Sequence, residues 1–166
     1  MTGHILGAAL VTASGAFAGV HAAASLRRDT ERLRRLESAL GLAACELSVR
    51  STPLPELFEL LAAASEAETS EMFARAALML ETLPVSKAWD AAVRAAEIPA
   101  EAKRILLPLG QVLGSCGAEK QGAELELARR SLGVLLDEAR SKQARQSKVY
   151  PALGLCFGAI TAVMLF

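Results

Sequence analysis

All 36 Lys, Arg, Asp and Glu residues of this 166-residue chain lie between Arg27 and Lys148; residues 1–26 and 149–166 carry none. This partition constrains the fold more than any motif. At ~1.5 Å per residue, the stretch from Thr2 to Leu26 spans roughly 37 Å as a helix, enough for a ~30 Å hydrocarbon core. Val149 to Phe166 spans roughly 27 Å, at the short end of what crosses. His4 and His21 are the ionisable side chains of the first stretch, and neither need be charged at neutral pH. Tyr150 suits an interface, Lys148 can snorkel, and Pro151 would kink a helix running unbroken from the centre. A cleaved signal peptide ending near Ala22–Ala24 is the rival reading of the first stretch. No Lys or Arg precedes it and two Arg follow, which argues against that rival and puts the centre inside. The expected organisation is therefore a transmembrane helix at 1–26, a cytoplasmic domain at 27–148 and a transmembrane helix at 149–166. Gly3 with Gly7, Gly15 with Gly19 and Gly154 with Gly158 give small-residue spacings for helix contact in lipid. Such contacts would join the two spans, a second copy or a larger assembly.

The charged centre is itself patterned. Arg27, Arg28, Arg32, Arg34 and Arg35 stand against Asp29 and Glu31, and Arg140, Lys142, Arg145 and Lys148 follow with no acid among them. Between these blocks, residues 36–139 hold nine basic and sixteen acidic residues. Basic blocks beside apolar ends are expected to meet anionic lipid headgroups. An acidic body excludes a nucleic-acid binder that works through one basic stripe. Three cysteines, Cys45, Cys116 and Cys156, make no disulfide framework and read as small buried hydrophobes.

The centre reads as helices. Leu33, Leu36, Leu40, Ala43 and Leu47 recur at helical spacing, with no breaker between Ala22 and Leu40 and a weak point at Gly41. Thr52 is placed to cap a second helix with Pro53 behind it, facing inward through Leu54, Leu57, Phe58 and Leu61. Phe73, Ala76, Ala77 and Leu80 mark a third. Ser86 is placed to cap a fourth that carries Trp89, Val93 and Ala96. A fifth starts after Pro99, interrupted by Pro108, and a last long helix starts near Glu119 with Gly133 as a point of close contact. Strand signals are nearly absent. The expected fold is all-α: a compact bundle of five or six helices flanked by the two transmembrane helices.

Chemistry is not legible. The chain has no phosphate-binding glycine loop, no paired cysteines and no nucleophile in a recognisable setting. Glu66, Glu68 and Glu71 read as a solvated acidic turn and helix start, and Glu119, Glu124 and Glu126 as facing water or a partner. No enzyme activity, cofactor or metal is expected. Trp89 is either core or an interface anchor, and Glu119 is a second candidate for partner docking.

Four stretches, in order, resemble the stage III sporulation protein AB family. They are Arg34 to Leu47 with Thr52-Pro53-Leu54-Pro55-Glu56; Val85-Ser86-Lys87-Ala88-Trp89; Leu107-Pro108-Leu109-Gly110-Gln111-Val112-Leu113-Gly114 with Gln121 after it; and Lys148-Val149-Tyr150-Pro151-Ala152-Leu153-Gly154. The resemblance runs essentially end to end. The chain departs from it at Cys116, where an acidic residue is expected, and in lacking a basic residue before the first apolar stretch. The resemblance implies a soluble domain related to the cytoplasmic domains of type II secretion and type IV pilus inner-membrane platform proteins. It further implies a non-enzymatic scaffold in the mother-cell membrane facing the forespore, beside a secretion-type ATPase and other membrane proteins of the channel complex. A generic membrane adaptor not coupled to an ATPase, a pore-forming subunit and a soluble helical protein are the rival readings. The pore is disfavoured because the apolar ends lack side chains to line a wet path. Self-association stays open.

Overall fold

The computed structural model describes the backbone of residues 2–165 and the side chains of residues 24–145. Its helices are α1 (Thr2–Arg50), α2 (Leu54–Ala64), α3 (Ala67–Met79), α4 (Val85–Ala95), α5 (Ala100–Leu106), α6 (Leu109–Val112) and α7 (Ala118–Leu165), with no strand among the described residues. The expected interruption at Pro108 separates α5 from the one-turn α6. Two compact units are formed, residues 29–137 and residues 1–28 with 138–166. The spans expected at 1–26 and 149–166 fall, but for residues 24–26, outside the residues whose side chains are described. Among the described residues no helix is long and apolar enough to cross a membrane.

Within residues 29–137, α1 and α7 lie antiparallel. Arg129 reaches Glu37 at 3.1 Å, and a Cβ on Gly122 would sit 3.5 Å from the carbonyl of Ala44, so position falls along α7 as it rises along α1. Asp29 and Asp137 therefore stand at one end of the bundle. The α2–α3 turn returns there, where Glu66 and Glu68 meet Arg35, and so does the end of α4, where Glu97 meets Arg32. The α1–α2, α3–α4 and α6–α7 connections gather at the other end. There Gly114, at φ +78°, leaves room for Val85 and Leu54: a Cβ would stand 3.0 Å from Val85 Cγ2 and 3.4 Å from Leu54 Cδ1. Only glycine combines that left-handed backbone with that approach.

The core follows the apolar stripes. Leu33, Leu36, Leu40 and Leu47 of α1 are buried with Leu57, Phe58 and Leu61 of α2 and Leu125, Ala128, Leu132 and Leu136 of α7. On α3 the expected Phe73 and Ala76 are buried, but the stripe begins a turn earlier, with Thr69 and Met72, and Ala77 and Leu80 are only half-buried. Leu54 is half-buried too, because it opens α2 at the rim of the bundle.

Two expected caps are replaced. Thr52 donates its hydroxyl to the Glu46 carboxylate at 3.3 Å, and Pro53 stands at the N-cap of α2. Pro84 stands at the N-cap of α4, which leaves Ser86 inside the first turn. In both helices the proline ring fixes φ, at −59° and −63°, and the residue takes an extended ψ, 143° and 150°, just before the first helical residue. Gly41 does not end α1; its missing Cβ would sit 3.2 Å from Arg129 Cδ, so glycine there admits the arginine stem crossing from α7. Gly133 is not a close helix contact: nothing would lie within 4 Å of a Cβ there.

Candidate functional site

The residues expected at a membrane surface separate into two groups. Arg32 and Arg35 are turned into the bundle. The Arg32 guanidinium donates to Glu68 at 2.9 Å and reaches Glu97 at 3.4 Å and Asp29 at 3.8 Å. Arg35 lies 3.5 Å from Glu68, 3.7 Å from Glu66 and 3.7 Å from Glu31. These two arginines tie α1 to the α2–α3 turn and to the end of α4, which corrects their assignment to lipid. Arg34 is exposed and pairs with Glu31 at 2.6 Å along the same helix. Arg27, Arg28, Arg140, Lys142 and Arg145 are exposed, and Lys148 lies outside the residues whose side chains are described. Helix geometry explains part of the division: Arg32 and Arg35 share a face three residues apart while Arg27 and Arg34 point elsewhere, whereas Arg28, one turn before Arg32 on that same face, precedes residues 29–137 and is exposed.

Glu68 is the shared acceptor of this cluster. Its carboxyl is held below the ordinary 4.5, first by a hydrogen bond with its own backbone N–H and then by Arg32 and Arg35, against the opposing effect of burial. A lowered folded value means that its stabilisation is present above the unfolded pKa of about 4.3 and is lost as pH falls through the folded value. Glu68→Gln is expected to flatten the fall in melting temperature between about pH 5 and pH 3. An unchanged acid limb would show that the cluster is not coupled to folding.

A second ionic seam joins α7 to α1. Arg129 grips Glu126 with two donors, at 2.7 and 2.8 Å, and Glu37 with a third at 3.1 Å; Arg130 adds a contact to Glu126 at 3.3 Å. The Arg129 hydrogen bond, followed by that of Arg130, lowers Glu126 to about 2.

Trp89 is completely buried, so it is core and cannot act as a docking anchor. Its ring stacks on Phe58 at 5.6 Å and meets Phe73 at 5.9 Å. The indole N–H donates to the Leu106 carbonyl at 2.7 Å. That carbonyl lacks its usual helical partner because the Gly110 N–H bonds to Leu107 instead. Glu119 is exposed in the first turn of α7. Gln121 is buried and ties the preceding turn by donating from Nε2 to the Cys116 carbonyl. Cys45 is exposed rather than buried, and Cys116 is half-buried. Among the described residues no three His, Cys, Asp or Glu side chains converge as metal ligands.

The family model for stage III sporulation protein AB matches residues 4–166. The chain belongs to that family. A solved structure of a stage III sporulation protein AB (SpoIIIAB) superposes with a TM-score of 0.64 at 19% identity, covering 71% of this chain and 98% of that one. At that identity the likeness bears on the fold, which is the same helical bundle. No match was found among curated proteins. Membership of the stage III sporulation protein AB family makes this a sporulation protein.

Proposed function

We propose that the chain is a non-enzymatic scaffold subunit of the mother-cell membrane, held by its two apolar ends, with residues 27–148 on the cytoplasmic side and a secretion-type ATPase docked on that domain. The observation that carries this reading is the common end of the bundle at which the chain arrives at Asp29 and departs at Asp137. Two spans inserted from one side of one membrane require their connecting domain to release both ends together. In sequence, the uncharged stretches and the exposed Arg27, Arg28, Lys142 and Arg145 lie just beyond those positions. Each basic group near an anionic leaflet contributes about 1 kcal/mol. The partners, an ATPase and other membrane proteins of the channel between mother cell and forespore, are what the family resemblance implies.

The test is recovery of the tagged full-length protein from sporulating cells in mild detergent, with partners identified by mass spectrometry. Stoichiometric ATPase, lost when surface residues of 27–148 are substituted, is the expected result. Recovery with unrelated membrane partners would favour the adaptor that works without an ATPase. Topology is checked separately: protease added to inverted vesicles should destroy the central domain, and protection there would overturn the orientation. Arg27→Glu with Arg28→Glu is expected to produce a protected fraction. Arg32→Ala with Arg35→Ala should leave topology unchanged and lower the melting temperature instead, because those side chains serve the bundle.

A further inference from the structure

We infer that the outer face of the α1–α7 pair docks a second copy of this chain, the two pairs forming a four-helix bundle about a twofold axis parallel to the helices. The inference uses residues 29–137 alone and goes beyond the platform reading. Each of the two helices carries two seams. The buried seam of α1 is Leu33, Leu36, Leu40 and Leu47, and that of α7 is Leu125, Ala128, Leu132 and Leu136. On its opposite side α1 shows Ser38, Leu42, Cys45 and Val49. The corresponding row of α7 is Ala123, Leu127, Arg130 and Val134. Both outer rows step by four, three and four residues, the spacing with which one helix packs along another. Because both rows turn away from the core and α1 lies beside α7, they form one surface. Val49, Leu127 and Val134 are 73%, 60% and 61% exposed. Among the described residues, then, three of the five exposed large apolar side chains stand on this face, and nothing covers them.

Charge selects the occupant. Residues 36–139 hold nine basic and sixteen acidic residues, so two copies repel over most of their surface. The outer rows carry no acid, and their one charge, Arg130, is engaged by Glu126 of its own helix at 3.3 Å. The margins of the face are complementary. Arg129 crosses to Glu37 and Gly41, and Gly122 lies against Ala44 and Ser48. These contacts set Leu42 level with Leu127, and Arg34 level with Asp137. A twofold axis parallel to the helices lays α1 of each copy over α7 of the other at the same height. Leu42 then meets Leu127, Ser38 meets Arg130, and the exposed Arg34 faces Asp137, twice over. A basic partner is drawn instead to the acidic remainder of the domain. Arg34 to Val49 is about 23 Å of helix, and two helices are about 20 Å wide, so the two copies together cover roughly 900 Å². That is near the lower bound of about 1,000 Å² for a specific pair, so the association is weak and reversible.

The test is cross-linking of the full-length chain, reconstituted densely in lipid vesicles. Cys116→Ser with Cys156→Ser leaves Cys45, which is exposed, as the one thiol. A second, differently tagged copy carries the same two changes with Cys45→Ser and Ala123→Cys, which puts its thiol at the height of Cys45 on the exposed row of α7. A short bismaleimide is expected to join these two copies. It should not join the first to a copy that carries Ala74→Cys instead, at an exposed position of α3. Leu127→Lys with Val134→Lys in both copies should cut the yield at least tenfold, whereas Leu78→Lys, 68% exposed on α3, should leave it unchanged. Arg34→Glu should cut the yield severalfold, and Asp137→Arg added to it should restore the yield. The substituted side chains lie at the surface, and thermal melting establishes that each variant is folded. Absence of a linked product, equal linking through Ala74→Cys, or a yield that survives Leu127→Lys with Val134→Lys would each overturn the inference and leave the platform reading as it stands.

Discussion

Replacing Trp89 with alanine is expected to cost about 3–5 kcal/mol, the range for truncating a large buried aromatic. In a domain of this size that lowers the melting temperature by roughly 10–20 °C. Three losses coincide. The indole is completely buried, so its removal leaves a cavity between α2, α3 and α4. Phe58 and Phe73 lose the ring that both of them touch. The Leu106 carbonyl loses its donor in a place where α5 has just ended. Trp89→Phe should recover most of the packing and none of the hydrogen bond, leaving a residual cost of about 1–3 kcal/mol for the buried, unsatisfied carbonyl. Chemical denaturation of the full chain in mild detergent measures both variants. A Trp89→Ala protein within about 1 kcal/mol of the parent would mean that this corner of the core is not tightly packed.

How much of this was readable beforehand depends on sequence distance. The stripes Leu33–Leu36–Leu40–Leu47 and Leu125–Ala128–Leu132–Leu136 announce their buried faces, because helical periodicity is a local property. Pro108 announces the break after α5 for the same reason. The split within the arginine block was not readable. Arg32 takes Glu68 and Glu97 as partners, 36 and 65 residues away, and nothing local marks which arginines will find them. The indole acceptor was hidden likewise: Leu106 is 17 residues from Trp89, and its carbonyl is free only because the helix breaks there. Glycines gave mixed signals. Gly41 and Gly133 look alike in sequence, yet the first makes room for Arg129 and the second faces open space. Gly114 defines one end of the bundle through a contact that no spacing rule anticipates.

The α1–α7 pairing fixes where the chain enters and leaves the domain, and its strength is expected to come from leucine rather than from charge. Arg129 makes the most conspicuous contacts of the seam, to Glu126 and Glu37. All three side chains are partly exposed, at 35%, 33% and 29%. Ion pairs in such settings contribute about 0–1 kcal/mol, and salt screens them further. Leu132 has no such weakness. It is fully buried on the stripe it shares with Leu125, about two turns before it on α7, and Leu136, about one turn beyond. Leu132→Ala is expected to cost about 2–5 kcal/mol, and Arg129→Ala clearly less. The cost of Leu132→Ala should also be the same at low and high salt, whereas that of Arg129→Ala should shrink as salt rises. Denaturation of both variants at two ionic strengths decides the matter. An Arg129→Ala variant less stable than Leu132→Ala would show that the ionic seam, not the apolar stripe, holds α1 and α7 together within residues 29–137.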